Sequence, residues 1–429
     1  MTASRALLAH LYRRAGFGAS LAELDRAEQV GWDATVAHLL KGLHEVDDGP
    51  LQVQPPQFSS FSTEALPTSS ALRQAEFLAL QNWWIDLMAS TPTPLKEKLV
   101  LLLHEQFPTA FSKVNHPSLL YRQNTIFRAL GAGSFDVLTT ALSKDPAMLI
   151  WLDTVTDLAA HPNENFAREL LERFTMGVGH YTEEDVKQLA RCFTGWGVNY
   201  QSGAFVFNTA VHDFGVKTIF GRSGAYSGED AITLVTKRAV STRWVTARMW
   251  SWLAYPVGPH DPVVEELAPV YGEHLHLGTL LAAILAHPSF VSVTSTTGLV
   301  KQPVEWVVGT MRALHLNTSS FAPGYVANTL TKLGQQLFNP PTVGGWGNNG
   351  FWLSTSSSLT QLNFAQTAAG LADLSAVADE PVRGRFDLLA RLLGVGRWTK
   401  ETTTVLHQAG YEPATLMALA LVAPETMTN

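Results

Sequence analysis

The chain is poor in the residues that usually reveal a function. A single cysteine, Cys192, is present in 429 residues, which excludes an internal disulfide and a cysteine-built zinc site. Cys192 lies in the apolar stretch QLARCFTGW, where a buried, inert thiol is expected rather than a nucleophile. Basic residues are in deficit: 30 Lys and Arg against 37 Asp and Glu leave a net charge of −7. Non-specific nucleic-acid binding needs a surplus of cations to replace phosphate counterions, so no nucleic-acid partner is expected. No apolar run approaches the roughly 20 residues that cross a bilayer. The longest, such as LVLLL at 99–103, suit core helices, and no integral membrane association is expected. Arg13-Arg14 could be misread as a twin-arginine export signal, but RRAGFGASLAELDRAE continues into polar helix, not into an apolar segment. As the sequence stands this points to the cytoplasm, with a mature form numbered after cleavage as the alternative. Also missing are GxxxxGKS/T, HExxH, GxSxG and a GxGxxG following a strand, which argues against P-loop, zincin, α/β-hydrolase and Rossmann chemistry.

What is present is a globular, helical composition. Hydrophobic residues make up 46% and charged residues 16%, enough to bury a sizeable core. Apolar residues recur at three- and four-residue spacing through SRALLAHLYRRAG, SSALRQAEFLALQNWWIDLMAS, PLKEKLVLLLHEQF and PSLLYRQNTIFRALGAG. The same spacing resumes from 228 through WVTARMWSWLAY, TLLAAILAHPSF and PVEWVVGTMRALHL, as amphipathic helices require. The expected fold is therefore mainly α, a large multi-helix array. One small β-hairpin insertion is expected near 204–220, where AFVF and VKTIF are β-prone and joined by polar residues and glycine. Residues 1–429 read as a single large helical domain, with a subdivision available into 1–135, a central region 136–227 holding the hairpin, and 228–429. Residues 45–69, rich in Pro, Ser and Asp, have no period and read as a flexible loop and candidate lid.

The densest polar constellation is HPNENFARELLERFTMG at 161–177. Asn163 can cap a helix that Gly177 stops. At about 100° per residue, Phe166, Ala167, Leu170, Leu171 and Phe174 share one face, while Glu164, Asn165, Arg168, Glu169, Glu172 and Thr175 share the other. The bland reading is a surface ion-pair ladder worth a few tenths of a kcal/mol per pair. The sharper one makes the carboxylates acid–base groups or ligands of Mg²⁺, Mn²⁺ or Ca²⁺, because hard cations prefer oxygen and close carboxylates push their pKa values apart. His212, Asp213 and Lys217 in the hairpin region, and His180-Tyr181 after the central helix, are further polar candidates, with a simple Asp-stabilised turn as the alternative for Asp213. His104 on an apolar helix reads as a core histidine, and Gln302 with Glu305 in KQPVEW as a helix start. Trp346 could stack on a sugar, although packing is the default for one of 12 tryptophans.

The motifs HLYRRAGFGAS, LLLHEQF, KDPAMLIWLD, NENFARELLERFTMGVGHYTEEDV, FTGW, HDFGVKTIFG, KQPVEWVVG and LFNPPTVGGW occur in this order across nearly the whole chain. Together they resemble the bacterial family catalogued as domain of unknown function 1800, whose name carries no activity. The resemblance implies a protein whose relatives are often exported and often neighbour a second family, domain of unknown function 1501, of sulfatase- or phosphatase-like appearance; a partner of that family is thereby implied. This chain departs from its relatives at Gln106, where many carry a second histidine, which removes half of a two-histidine metal pair there.

Two functions follow as expectations. In the first the protein is an enzyme acting on a polar or anionic substrate such as a glycan, phosphate ester or sulfate ester. Its catalytic candidates are Glu164, Arg168, Glu169, Glu172, His212 and Asp213, and its substrate-binding candidates Asn163, Asn165, His180, Tyr181, Lys217 and Trp346. A metal, if used, would sit on Glu169, Glu172 and His212. In the second it is a non-catalytic scaffold working with a partner protein, and the polar cluster is a structural ion-pair network. A separate expectation places the polar face of the 163–176 helix, the His180-Tyr181 turn, the His212-Asp213 hairpin and the 344–346 loop around one concave site, with the 45–69 loop near its mouth.

Overall fold

The computed structural model describes residues 4–44, 53–59 and 71–428. The expected 45–69 loop therefore lies largely outside the described residues. Its piece 53–59 packs inward, with Phe58 against Tyr121 at 5.4 Å and Val53 and Phe58 on the core.

The fold is mainly α, as expected: helices run from Arg5–Arg14 to Pro424–Met427, and the described residues contain only four short strands. Local rules start the helices. Ser20, Thr182 and Ser227 make capping boxes with Glu23, Asp185 and Asp230, each satisfying two backbone donors that a helix start leaves unpaired. Buried apolar side chains from Leu8 to Met427 form one continuous cluster. Long-range polar contacts tie early helices to late ones: His10 Nε2 meets the Phe290 carbonyl at 2.9 Å, and Trp306 Nε1 donates to the Leu421 carbonyl at 2.9 Å. The protein has no helix among the described residues that is long and apolar enough to cross a membrane.

Both β-prone stretches are strands, but each pairs with its own neighbour. Ala204–Phe207 turns back onto Trp196–Asn199, and Lys217–Ile219 turns forward onto Arg222–Gly224. The second pairing is closed by Phe220 and Gly221, whose φ values of 51° and 74° are those of a two-residue type I′ turn. Between the hairpins, Asn208 caps a short 3₁₀ turn at Thr209–Val211, which stops the two strands from meeting each other.

The central helix also has a local surprise. Asn163 caps it, its Oδ1 accepting from the Asn165 amide at 3.0 Å, but α-helix persists only through Glu164–Glu169 and becomes π-helix over Leu170–Thr175. The wider turn rotates the side chains that follow it, and Thr175, expected on the polar face, is buried; Glu169, at the end of the α-helical part, is buried too.

Candidate functional site

The 161–186 segment folds into a surface ion network. Arg168 pairs with Glu164 at 3.1 Å, Glu172 at 3.8 Å and Glu183 at 2.7 Å, so one cation serves three carboxylates. Glu183 is exposed, and Arg168 holds its carboxyl below the usual range. Tyr181 donates to Glu172 Oε1 at 2.5 Å, and burial together with this bond raises the phenol's pKa. Asn165 donates to the Leu152 carbonyl and Asn163 to the Asp153 carbonyl, both at 3.1 Å. Buried Asp157, pushed up to about 7 by desolvation, accepts from the Asn163 amide. The two asparagines thus fasten the helix start. His180 and Tyr181 line a surface depression with Thr218, Phe220 and Arg238, so the tip of the second hairpin does approach this turn.

His212 and Asp213 belong to a different cluster. Asp213 Oδ2 accepts from Arg191 Nε at 2.7 Å, and the guanidinium lowers the carboxyl's pKa. His212 Nδ1 lies 2.7 Å from the Thr194 carbonyl, its ring between Phe207 and Phe214. Lys217 is buried and donates to the carbonyls of Asp213 and Tyr226. These contacts sit at the C-terminal end of the Glu183–Phe193 helix, whereas Glu183 and Arg168 meet at its start. Eleven residues make that helix roughly 16 Å long. Among the described residues no group of three or more His, Cys, Asp or Glu is arranged to hold a metal ion, so Glu169, Glu172 and His212 do not form a shared ligand set. Glu169 faces Arg173 at 4.0 Å, and Glu172 is engaged by Tyr181 and Arg168.

The structure assembles a second polar centre that none of the candidate residues, except Trp346, borders. It begins with Glu105-Gln106 at the end of the Pro94–Gln106 helix, a helix buried along its whole length. Glu105 is 4% exposed, and both its oxygens accept from Gln302 Nε2, at 3.3 and 3.2 Å. Burial pushes its carboxyl up to about 7, against the opposing pull of the Gln302 bond and the Arg248 charge. Gln302 and Glu305 form the expected helix start: the Gln302 amide donates to Glu305 Oε2 at 2.9 Å. Glu305 also forms a buried ion pair with Lys98, and Gln335 Nε2 donates to Gln302 Oε1 at 2.6 Å. Gln106 joins this centre to the π-turn, donating to the Phe174 carbonyl at 2.7 Å and accepting from Arg248 Nε at 3.1 Å. His104 is the core histidine expected. It accepts from the Phe338 amide at 3.2 Å, is held near a pKa of about 3 by burial, and packs against Trp346 at 5.4 Å.

A cavity of about 290 Å³ opens onto this centre, lined among others by Trp244, Arg248, Trp252, Gln302, Glu305 and Asn348. Arg248 lies over Trp244 and Trp252, at 5.1 and 4.7 Å from the ring centres. Its Nε is spent on Gln106, but neither Nη group donates to any described residue, and the Asn348 side-chain amide is likewise unbonded. The Arg248 clamp was legible in principle: Trp244, Arg248 and Trp252 stand at four-residue spacing in WVTARMWSW, one stacked column on a helix face.

A multi-helix protein with a buried carboxylate–amide–cation network beneath a tryptophan-walled cavity is the class that fold and geometry define. The chain matches the family described as protein of unknown function (DUF1800) over residues 10–428, and it belongs to that family. The motifs LLLHEQF, KQPVEWVVG and LFNPPTVGGW, which carry the resemblance, are the ones that meet around Glu105. Comparison with curated proteins and with solved structures finds no match to this chain.

Proposed function

We infer that the Arg248 cavity binds a small, anionic, hydroxyl-bearing molecule, with a phosphate or sulfate ester of a sugar as the chemical type. One observation carries this reading: a guanidinium held rigid between two indoles and fixed at Nε presents both Nη groups, without protein acceptors, at the wall of a cavity. Two parallel N–H donors match the paired oxygens of such an anion. The Asn348 amide supplies a partner for a hydroxyl, and the indole faces suit the apolar side of a sugar ring. Behind the cavity wall Glu105, its carboxyl pushed up to about 7 by burial, accepts from Gln302 through both oxygens and so fixes how that lining residue meets the ligand.

The test is a thermal-shift and calorimetric screen with phosphate, sulfate, sugar phosphates and sulfated sugars, repeated on Arg248→Lys. A saturable shift in the wild type that the lysine variant loses by about tenfold or more in affinity supports the site. No ligand in these classes shifting the wild type overturns it. The scaffold alternative has an observation of its own: Phe214 and Val216 are each 65% exposed beside Phe207 on the hairpin region, more apolar surface than a solvated loop needs. Co-purification with a partner of the domain-of-unknown-function-1501 family, lost in Phe214→Ser, would favour that role.

A further inference from the structure

We propose that the ester held at Arg248 is amphipathic, a sugar phosphate or sulfate whose far end is an alkyl group and not a second sugar; this rests on the Arg248 cavity being the binding site. Six residues in the cavity lining have polar side chains, and four of them are already spent. Gln302 is bonded to Glu105 and Gln335, and Glu305 to Lys98 and the Gln302 amide. Asn349 accepts from the Val300 amide at 2.8 Å and donates to the Gly298 carbonyl at 3.4 Å. Ser251 Oγ accepts from the Val257 amide at 3.0 Å and donates to the Val257 carbonyl at 3.4 Å. What remains is the pair of Arg248 Nη groups and the Asn348 side-chain amide. They can serve the ester and the hydroxyls nearest it, and no more.

The rest of the lining is apolar. Beyond the two indoles, the loop after their helix adds Pro256, Val257 and Pro259, and Leu299 and Val300 come from the segment before the Pro303–Ala313 helix. The main chain of this wall has few donors to give. Its prolines lack an N–H, and the Val257 and Val300 amides are the ones bonded to Ser251 and Asn349. A second sugar against this wall would bury hydroxyls without partners, whereas an alkyl group gains by leaving water. The apolar surface also continues outward. The turn that carries Asn348 and Asn349 runs on into Phe351 and Leu353, which are 67% and 63% exposed. The Phe351 amide donates to the Asn348 carbonyl at 3.1 Å, and its ring lies against Gly347. A chain too long for the cavity of about 290 Å³ therefore has apolar surface to follow beyond it.

The test is calorimetry on the full chain with the phosphates of methyl, butyl and hexyl glucoside and with a disaccharide phosphate. Affinity should rise by about tenfold or more from the methyl to the butyl compound, as added methylenes leave water, and rise again to hexyl. The disaccharide phosphate should bind no better than the methyl compound. Displacement of the hexyl compound by the methyl one places both in one site, and Arg248→Lys should weaken both. In Val257→Asn the advantage of hexyl over methyl should shrink several-fold; the wild-type series decides the proposal without that variant having to fold. Methyl glucoside phosphate bound through Arg248 with no gain along the series, or a disaccharide phosphate bound tighter than the alkyl compounds, overturns the alkyl group and leaves the anion site standing. No compound bound at all overturns the site itself, and this inference with it.

Discussion

The Arg168 network and the Glu105 network use nearly the same parts, carboxylates and a few cations on helices, and physics treats them oppositely. Around Arg168 the carboxylates stand at the surface: Glu164 and Glu183 side chains are 37% and 67% exposed. Water screens each pair, and breaking one returns both partners to solvent. Around Glu105 the groups are closed off, with the Lys98 side chain 1% exposed. Removing one partner there strands a charge that water cannot reach. The richest cluster of charged letters in the sequence is therefore the less consequential one. Charges in small number within apolar helices, as in KEKLVLLLHEQF, mark the site where chemistry and stability are coupled.

The comparison can be broken at its strong end first. Lys98→Met takes from buried Glu305 the cation it pairs with, and a loss of roughly 3–5 kcal/mol is expected, read by urea unfolding. A loss under about 1 kcal/mol would mean that the pair behaves like a surface bridge after all. Next in size is Glu105→Gln. Glu105 has its folded pKa raised from 4.5 to about 7, so between these values the folded state binds more protons than the unfolded one. Its contribution to stability is greatest below the unfolded pKa and is lost as pH rises through about 7. Wild-type stability relative to the glutamine variant should drop by on the order of 2–3 kcal/mol between pH 4.5 and pH 8. Asp145 and Asp157, whose carboxyls burial also raises to about 7, act in the same direction in both proteins and cancel in the difference. A pH-independent difference would show that Glu105 does not titrate in this range.

The weak end gives smaller numbers. Glu164→Gln and Glu172→Gln should each change stability by less than about 1 kcal/mol. For Glu164→Gln the change should shrink further in molar salt, where charges separated by more than about 3 Å are screened. Thermal midpoints measured at low and high salt check both points. If Glu172→Gln unfolds the protein, the Tyr181–Glu172 bond is a structural linchpin and the surface description fails for that residue.

Much of this was legible beforehand because it depends on neighbours in sequence. The helical spacing, the Asn163 cap, the Gln302–Glu305 helix start and the buried Cys192 and His104 all follow from local pattern and composition. The α-helical angle that predicts the faces of the central helix holds to Glu169, which packing buries all the same; beyond it the π-turn buries Thr175. The two β-prone stretches were visible as strands. Their partners were not, because pairing depends on which intervening turn closes, and Phe220-Gly221 closes the nearer one.

By itself the sequence determined the fold class, the helix starts and the family, since each rests on local periodicity, capping residues or the order of motifs along the chain. Only the tertiary structure decided which polar residues share a site. It separated His212 and Asp213 from Arg168 by the length of one helix, and it brought Lys98, Glu105, Arg248 and Gln302 together from three distant segments. The reason is that the energy of a charged or amide group is set by what surrounds it in space, by water or by a handful of buried partners, and the spacing of letters along a chain does not carry that distance.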